Sequence, residues 1–367
     1  MSTYHILAIN PGSTSTKIAV YINTKVVFLK SIQHSIEELQ KFHRISDQFA
    51  YRRDIIMEEL KNAKIEIDMI QIVVGRGGLL KPIKSGVYKV NEAMKKDLLE
   101  GVQGQHASNL GGLIADDIAR LLPNARAFIA DPVVVDEMED VARITGVPKL
   151  RRVSIFHALN QKATARSYSR LLNKRYEDLN LIIAHMGGGI SIGAHKNGRV
   201  IDVNQALDGE GPFSPERSGT LPVGQLVKLC FESGMTKEQV QKMILGQGGY
   251  VAYFGTNNAY EIELMAIEGD ERARLIQDAM SYQIAKTIGA MATVLQGKVD
   301  GIILTGGIAN NPMVCEYIKK MVSFIAPVII YPGEDEMHAL AMNGLMLLKG
   351  EIEPRDYDET SMVISDI

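Results

Sequence analysis

Two short segments, nearly half the chain apart, repeat one pattern of strand, polar turn, strand, turn and strand, and this duplication limits the fold more than any other feature. Ile6 to Ile9 is an apolar strand that runs into Asn10-Pro11-Gly12-Ser13-Thr14-Ser15-Thr16-Lys17; Ile18 to Tyr21 returns, and after Asn23-Thr24-Lys25 comes Val26 to Leu29. Leu181 to His185 runs likewise into Met186-Gly187-Gly188-Gly189, Ile190 to His195 returns, and Lys196-Asn197-Gly198-Arg199 precedes Val200-Ile201-Asp202. Apolar runs separated by small polar residues and glycine predict antiparallel hairpins. Gly12 and Gly187 lie 175 positions apart and Asn23 and Asn197 lie 174 apart, so two independent turns match with a slip of one residue.

Elsewhere helices and strands alternate. Asp47 to Ala63, Asn109 to Leu122, His157 to Leu172, Pro222 to Phe231, Thr236 to Leu245, Glu271 to Leu295, Pro312 to Met321 and Met337 to Leu348 read as helices. Met69 to Val74, Ala125 to Ile129, Gly301 to Leu304 and Val328 to Tyr331 read as strands that end in glycine-rich or polar turns. The fold class is therefore α/β, with sites expected at strand ends. A chain of 367 residues suits two domains, placed at 1–175 and 176–350, with 351–367 as an acidic extension that packs back on the first.

Composition excludes several classes. The formal net charge of −3 gives no basic excess for a nucleic-acid binder. Two cysteines, Cys230 and Cys315, exclude a disulfide scaffold or a four-cysteine zinc site and suit a reducing compartment, so a cytoplasmic location is expected. The apolar stretch Ile276 to Leu295, interrupted by Gln283 and Lys286, reads as a buried helix rather than a membrane span.

Three loops have the composition to hold phosphates: Gly12 to Lys17, Met186 to Gly189 and Gly306 to Asn310. Glycine lets backbone amides converge on an anion, and Ser and Thr hydroxyls add donors. None matches a P-loop or a GxGxxG fingerprint, and each taken singly also reads as a tight turn or helix start. Arg76, between Gly75 and Gly77-Gly78, and Arg217, in Pro215-Glu216-Arg217-Ser218-Gly219, have the planar donors to grip a carboxylate or a phosphoryl group, or to form a structural ion pair. Asp131 before Pro132 and Glu336 at a helix start are hard oxygen ligands of the kind Mg²⁺ takes one or two of, or else caps. His157 at a helix entrance is a candidate donor to phosphoryl oxygens, and His185 is a weaker one. No HExxH occurs, which excludes a zincin, and Ser13 and Ser15 lie in a polar hairpin with no His/Asp pair to be found beside them, which argues against a serine hydrolase.

Taken together, Asn10 to Lys17, Val74-Gly75-Arg76-Gly77-Gly78, Phe156-His157, His185 to Gly189, Pro215 to Gly219 and Thr305-Gly306-Gly307-Ile308-Ala309-Asn310 resemble the acetate kinase family, nearest its butyrate kinase and branched-chain fatty-acid kinase members. The resemblance implies duplicated ribonuclease H-like domains of the actin, sugar kinase and Hsp70-type ATPase group, with ATP in the cleft, the acid on the side of the first domain and the nucleotide on that of the second. It implies reversible formation of an acyl phosphate and ADP from ATP and a short-chain acid, with Mg²⁺, in a homodimer or higher homo-oligomer. Asn10, Ser13, Thr14, Ser15 and Lys17 match the first phosphate hairpin, and His185, Gly187, Gly188 and Gly189 the second. Gly306, Gly307, Ile308 and Asn310 match the adenosine-side loop. Arg217 and His157 match the arginine and histidine at the transferring phosphate, and Asp131 and Glu336 the carboxylates associated with Mg²⁺.

Two departures move the expected acid from acetate to butyrate or a branched relative such as isobutyrate. Gly188 stands where acetate kinases carry an asparagine, and Arg76 stands at the histidine position of a His-Arg-x-Val-His-Gly-Gly pattern. Two other readings share the fold: a sugar or polyol kinase with Asp131 as base, and a non-catalytic ATP-binding conformational protein.

Overall fold

The structure is a computed structural model and describes residues 3–358. Contacts group the chain into two compact units, Met1–Val135 with Asp335–Ile367, and Asp136–Glu334. This grouping differs from the linear expectation of 1–175 and 176–350 in the place of the stretch 136–175 and of the last helix. Ala158–Leu171 packs Ala165 and Tyr168 on the second sheet, and Glu336–Leu348 returns to the first.

The first unit holds a six-stranded sheet in the order β3-β2-β1-β4-β6-β5. Its strands are β1 (His5–Pro11), β2 (Ser15–Ile22), β3 (Lys25–Gln33), β4 (Ile72–Arg76), β5 (Val87–Lys89) and β6 (Arg126–Ala130). The second unit holds β7 (Leu181–Met186), β8 (Ile190–Lys196), β9 (Arg199–Val203), β10 (Gly301–Gly306) and β11 (Val328–Pro332), in the order β11-β10-β7-β8-β9. Read from the meander edge, five strands of each sheet share one topology, a three-strand antiparallel meander extended by two parallel strands, and the first sheet adds β5 antiparallel to β6. Even the irregularities recur: the β2–β3 ladder shifts register between Val20 and Tyr21, and the β8–β9 ladder between Ala194 and His195. Asn23 and Asn197 both hold positive φ in the hairpin turns.

Helices cover both faces of each sheet, which is why the central strands read as unbroken apolar runs instead of alternating. In the first unit, Ile56 and Leu60 of the helix Phe49–Asn62 and Leu110, Ile114 and Ile118 of Asn109–Leu121 pack with Leu7, Ile9, Ile18 and Val20. On the other face lies Glu336–Leu348, brought close by Gly344, whose missing β-carbon would sit 3.0–3.2 Å from Val74, Ile6 and Ile72. In the second unit the long helix Glu271–Val294 buries Met280, Ile284, Ile288 and Met291 against Ile182, Ala184 and Ile192. The stretch expected as a buried helix is thus a core helix, and among the described residues no helix is long and apolar enough to cross a membrane.

The extension from Glu351 is laid on the first unit as far as it is described. Arg355 adds to β5 by backbone bonds to Val87 and Lys89, and the buried Tyr357 donates its hydroxyl to Asp97 at 2.6 Å. Residues 359–367 of the expected extension lie outside the described residues.

The glycines around Arg76 serve close packing and not the open backbone the sequence suggests. A β-carbon on Gly75 would collide with the Gly111 carbonyl, one on Gly77 with Pro132, and one on Gly78 with Asn109. Gly75→Ala is therefore expected to destabilise the protein by about 3 kcal/mol, since neither β4 nor the facing helix can yield. Denaturant unfolding followed by circular dichroism measures it, and an unchanged midpoint contradicts this packing.

Candidate active site

Asn10, Arg76, Asp131 and His185 sit at or just beyond the carboxyl ends of β1, β4, β6 and β7, where backbone leaves the apolar layers. Within the first unit, the structure joins Asn10 at the end of β1, Arg76 at the end of β4 and Glu336 at the start of its helix. Asn10 donates from Nδ2 to Glu336 Oε2; Arg76 Nη1 donates to the same carboxylate oxygen at 3.1 Å and to Asn10 Oδ1 at 3.3 Å. Asp335 caps the helix by accepting from His338 N, which fixes Glu336 in the first turn beside the positive end of the helix dipole.

The Asn10 to Lys17 segment is a tight turn in which Gly12 N donates to Ser15 O at 2.7 Å. Ser13 and Thr14 are exposed at its tip, and Lys17 is exposed on β2. Beneath the turn lies a residue the sequence reading missed. Arg52 is fully buried and makes no salt bridge among the described residues; it donates to Gly12 O, Ser13 O, Ser15 O, Thr16 Oγ1 and Gln48 Oε1. Burial pushes its guanidinium down to about 10, still charged at neutral pH. By drawing loop carbonyls inward, it leaves a positive charge directly under a turn of the kind that binds anions. A signal existed: Arg52, Ile56 and Leu60 are spaced by four, so the arginine belongs to the buried stripe of its helix.

Asp131, expected as a base or metal ligand, is 1% exposed and holds a positive φ. Its Oδ1 accepts from Ser85 Oγ at 2.6 Å and Gly86 N at 2.8 Å, bonds that pin the turn before β5.

In the second unit the glycine turn and Arg217 form one object. Gly187 N donates to Gly189 O, Ser214 Oγ donates to Gly188 O, and a β-carbon on Gly189 would occupy the space of the Arg217 guanidinium. That guanidinium donates from Nη1 to Ala206 O at 2.5 Å, while its buried Nε has no hydrogen-bond partner among the described residues. Burial lowers its proton affinity, partly offset by Glu216. A largely buried arginine with most of its donors unspent is uncommon, because such donors are otherwise satisfied.

His157 and His185 stack face to face, ring centroids 3.8 Å apart and planes 11° from parallel. His157 Nδ1 lies 2.9 Å from Ser191 Oγ, and His185 Nδ1 lies 2.9 Å from Asn160 Oδ1, which accepts its proton. His185 Nε2 approaches Glu334 Oε2 at 3.4 Å. At the end of β10, Gly306 has φ 90° where a β-carbon would strike the Met186 backbone, so this glycine is what lets β10 pass the end of β7. Gly307 to Asn310 then form a 3₁₀ turn, with Ile308 buried, Gly307 in open space and Asn310 exposed.

These residues have the chemistry for a nucleotide. Gly188, Ser13 and Thr14 are exposed in the two turns, the orphaned Arg217 Nε suits an anionic oxygen, and Glu336 offers a hard carboxylate oxygen, of which Mg²⁺ needs only one or two. Among the described residues no group of three or more His, Cys, Asp or Glu could hold a metal ion.

Comparison with known proteins agrees with this chemistry. The profile of the acetokinase family matches residues 146–326. Butyrate kinase 2 of Clostridium acetobutylicum is 58% identical over 354 residues, 96% of this chain and 99% of that protein, and butyrate kinase 1 of the same organism is 56% identical over the same coverage. The fold is that of the acetate kinase of Porphyromonas gingivalis, with a TM-score of 0.76 at 22% identity over 94% of this chain and all of that one. A propionate kinase from Francisella tularensis gives 0.73 at 18% identity over 93% and 98%.

His34 provides a measurable handle on the first turn. It is buried with Nε2 at 2.8 Å from Thr16 Oγ1, and burial, with help from Arg52, lowers its value from 6.5 to about 4. The unfolded chain therefore binds a proton between pH 6.5 and 4 that the folded protein refuses, so this contribution is complete above 6.5 and is lost as pH falls toward 4. Its slope is at most ~1.4 kcal/mol per pH unit. The His34→Gln variant is expected to lack this part of the acid destabilisation in urea unfolding series; parallel curves for parent and variant contradict it.

Proposed function

The chain belongs to the acetokinase family, and from that premise we propose that it transfers the γ-phosphoryl group of ATP reversibly to a short-chain carboxylic acid, butyrate first and isobutyrate next, giving an acyl phosphate and ADP. The observation that carries the reading is Arg217, a largely buried guanidinium packed under a glycine turn with its Nε unpartnered.

The acid needs no base, because a carboxyl group with a pKa near ~4 is ionised at neutral pH. What opposes reaction is repulsion between the carboxylate and the phosphate oxygens. Arg217 and His157 serve as donors to the transferring group, and the amides of Gly188 and Gly189, in the turn that Gly187 closes, and of Ser13 and Thr14 hold the phosphates, with the Ser13, Thr14 and Ser15 hydroxyls and Lys17 beside the latter. Gly306, Gly307, Ile308 and Asn310 serve the adenosine side. Glu336, fixed by Asn10 and Arg76, is the residue that would hold Mg²⁺, and Asp131 is the second, rigid carboxylate of that unit. The ion, when bound, would neutralise charge on the phosphate oxygens. Arg76 is a donor to the acid's carboxylate in this reading, exchanging that contact for part of its bond to Glu336.

A hydroxyl acceptor would need a general base, and the Asp131 Oδ1 is already committed to two donors, which favours the carboxylate acceptor over a sugar. The expected outcome is butyrohydroxamate from ATP, Mg²⁺, butyrate and hydroxylamine, with Arg217→Lys lowering kcat by about 10²-fold. Failure on C2 to C6 acids together with turnover of a sugar reverses the assignment.

Self-association belongs to the same reading. The helix Val223–Glu232 buries none of its residues and exposes Val223, Val227 and Phe231, an apolar face suited to a second copy of the chain. Phe231→Asp is expected to lower the mass seen by sedimentation; a parent that sediments as a monomer contradicts it.

A further inference from the structure

Behind His157 a line of buried polar side chains runs through the second unit. His157 Nδ1 lies 2.9 Å from Ser191 Oγ, which lies 2.9 Å from Gln161 Nε2. Gln161 Oε1 lies 2.9 Å from His195 Nε2, and His195 Nδ1 lies 2.7 Å from the Tyr176 hydroxyl. Gln161, Ser191 and His195 are fully buried.

One bond sets the direction of all the others. Gln161 Nε2 also meets the Ser191 backbone oxygen at 3.1 Å, and a carbonyl can only accept, so the amide nitrogen faces Ser191 and the amide oxygen faces His195. His195 must then donate from Nε2. Burial, reinforced by Lys162, holds its imidazole well below the usual range, so it is neutral and takes the Tyr176 proton at Nδ1. On the other side, the Ser191 hydroxyl accepts from Gln161 and still has its own proton to place. Among the described residues the one acceptor in contact with that hydroxyl is His157 Nδ1. Protonating that nitrogen would turn the hydroxyl proton away with nowhere to go, an arrangement a dry site penalises.

We infer that Gln161, Ser191 and His195 are positioning residues that hold His157 as the neutral tautomer with its proton on Nε2, the form that donates to an anionic oxygen through that nitrogen. Every donor in the line points toward His157: Tyr176 to His195, His195 to Gln161, Gln161 to Ser191, and Ser191 to His157. That His157 serves phosphoryl transfer rests on the function proposed above; the tautomer does not.

The test is imidazole ¹⁵N NMR on the full chain labelled with [¹⁵N]histidine, with His157→Gln used to identify its signals. The expected parent spectrum at neutral pH has an unprotonated Nδ1 and a protonated Nε2 on His157. Ser191→Ala and Gln161→Met, each checked for cooperative unfolding, are expected to give mixed tautomers at His157 and to lower kcat about tenfold with little change in KM for ATP, as when a group orienting an imidazole is removed. Ser191→Thr, which keeps the hydroxyl, is expected to restore the parent tautomer. A parent His157 protonated on Nδ1 overturns the inference even if no variant folds. So does a folded Ser191→Ala protein with the parent's tautomer and kcat. A parent with the expected tautomer that makes no acyl phosphate supports the inference and removes the proposed function instead.

Discussion

Burial of both faces of β1 and β7 is the constraint on which the rest of each unit depends. A strand covered on both sides has no surface for chemistry, so polar groups are driven to its end, where the backbone leaves the apolar layers. Asn10, Arg76 and Asp131 lie at or just beyond the ends of β1, β4 and β6; His185 is the last residue but one of β7, and Gly306 ends β10. The same apolar layers make those ends rigid, because a strand packed by helices on two sides cannot shift to suit a ligand. Glycine appears where two backbones must approach within these ends, as Gly75 does at the 109–121 helix and Gly306 at Met186.

Rigidity of the strands still leaves the turns to be held: Arg52 holds the first from beneath, and in the second Ser214 Oγ bonds Gly188 O while Arg217 packs against Gly189. Among the described residues Arg52 has no carboxylate partner and is stabilised by loop carbonyls, while Arg217 has a single carbonyl and the space left by Gly189. These are different uses of one side chain. Arg52 has its donors spent on the fold and shapes a turn, whereas Arg217 makes one hydrogen bond among the described residues.

Much of this architecture is legible in the linear chain. The paired hairpins, the helix at 49–62 expected at 47–63, and the strand at 328–332 expected at 328–331 follow from period and turn chemistry acting over a few residues. Strand β5, three residues long, and the short helices Gly249–Phe254 and Ala259–Ile267 did not stand out, because such segments carry too few residues for a period to show. The glycines around Arg76 were visible, but their reason was not: the sequence suggested an open backbone and the fold uses them to fit a helix against β4.

Sequence alone determined the duplication, the α/β class, the glycine and arginine content of the turns, and through them the family. Those are properties of spacing and residue type, written along the chain by local physics. Only the tertiary structure decided that Arg76 is tied to Glu336, that Asp131 holds a turn, that Arg52 lies beneath the first hairpin, and that His157 is backed by Ser191 and Gln161. Glu336 is 260 positions from Arg76, and Ser191 is 34 from His157. Partners at such separations are chosen by how helices pack on sheets, and no local pattern records which side chains that packing will bring within 3 Å.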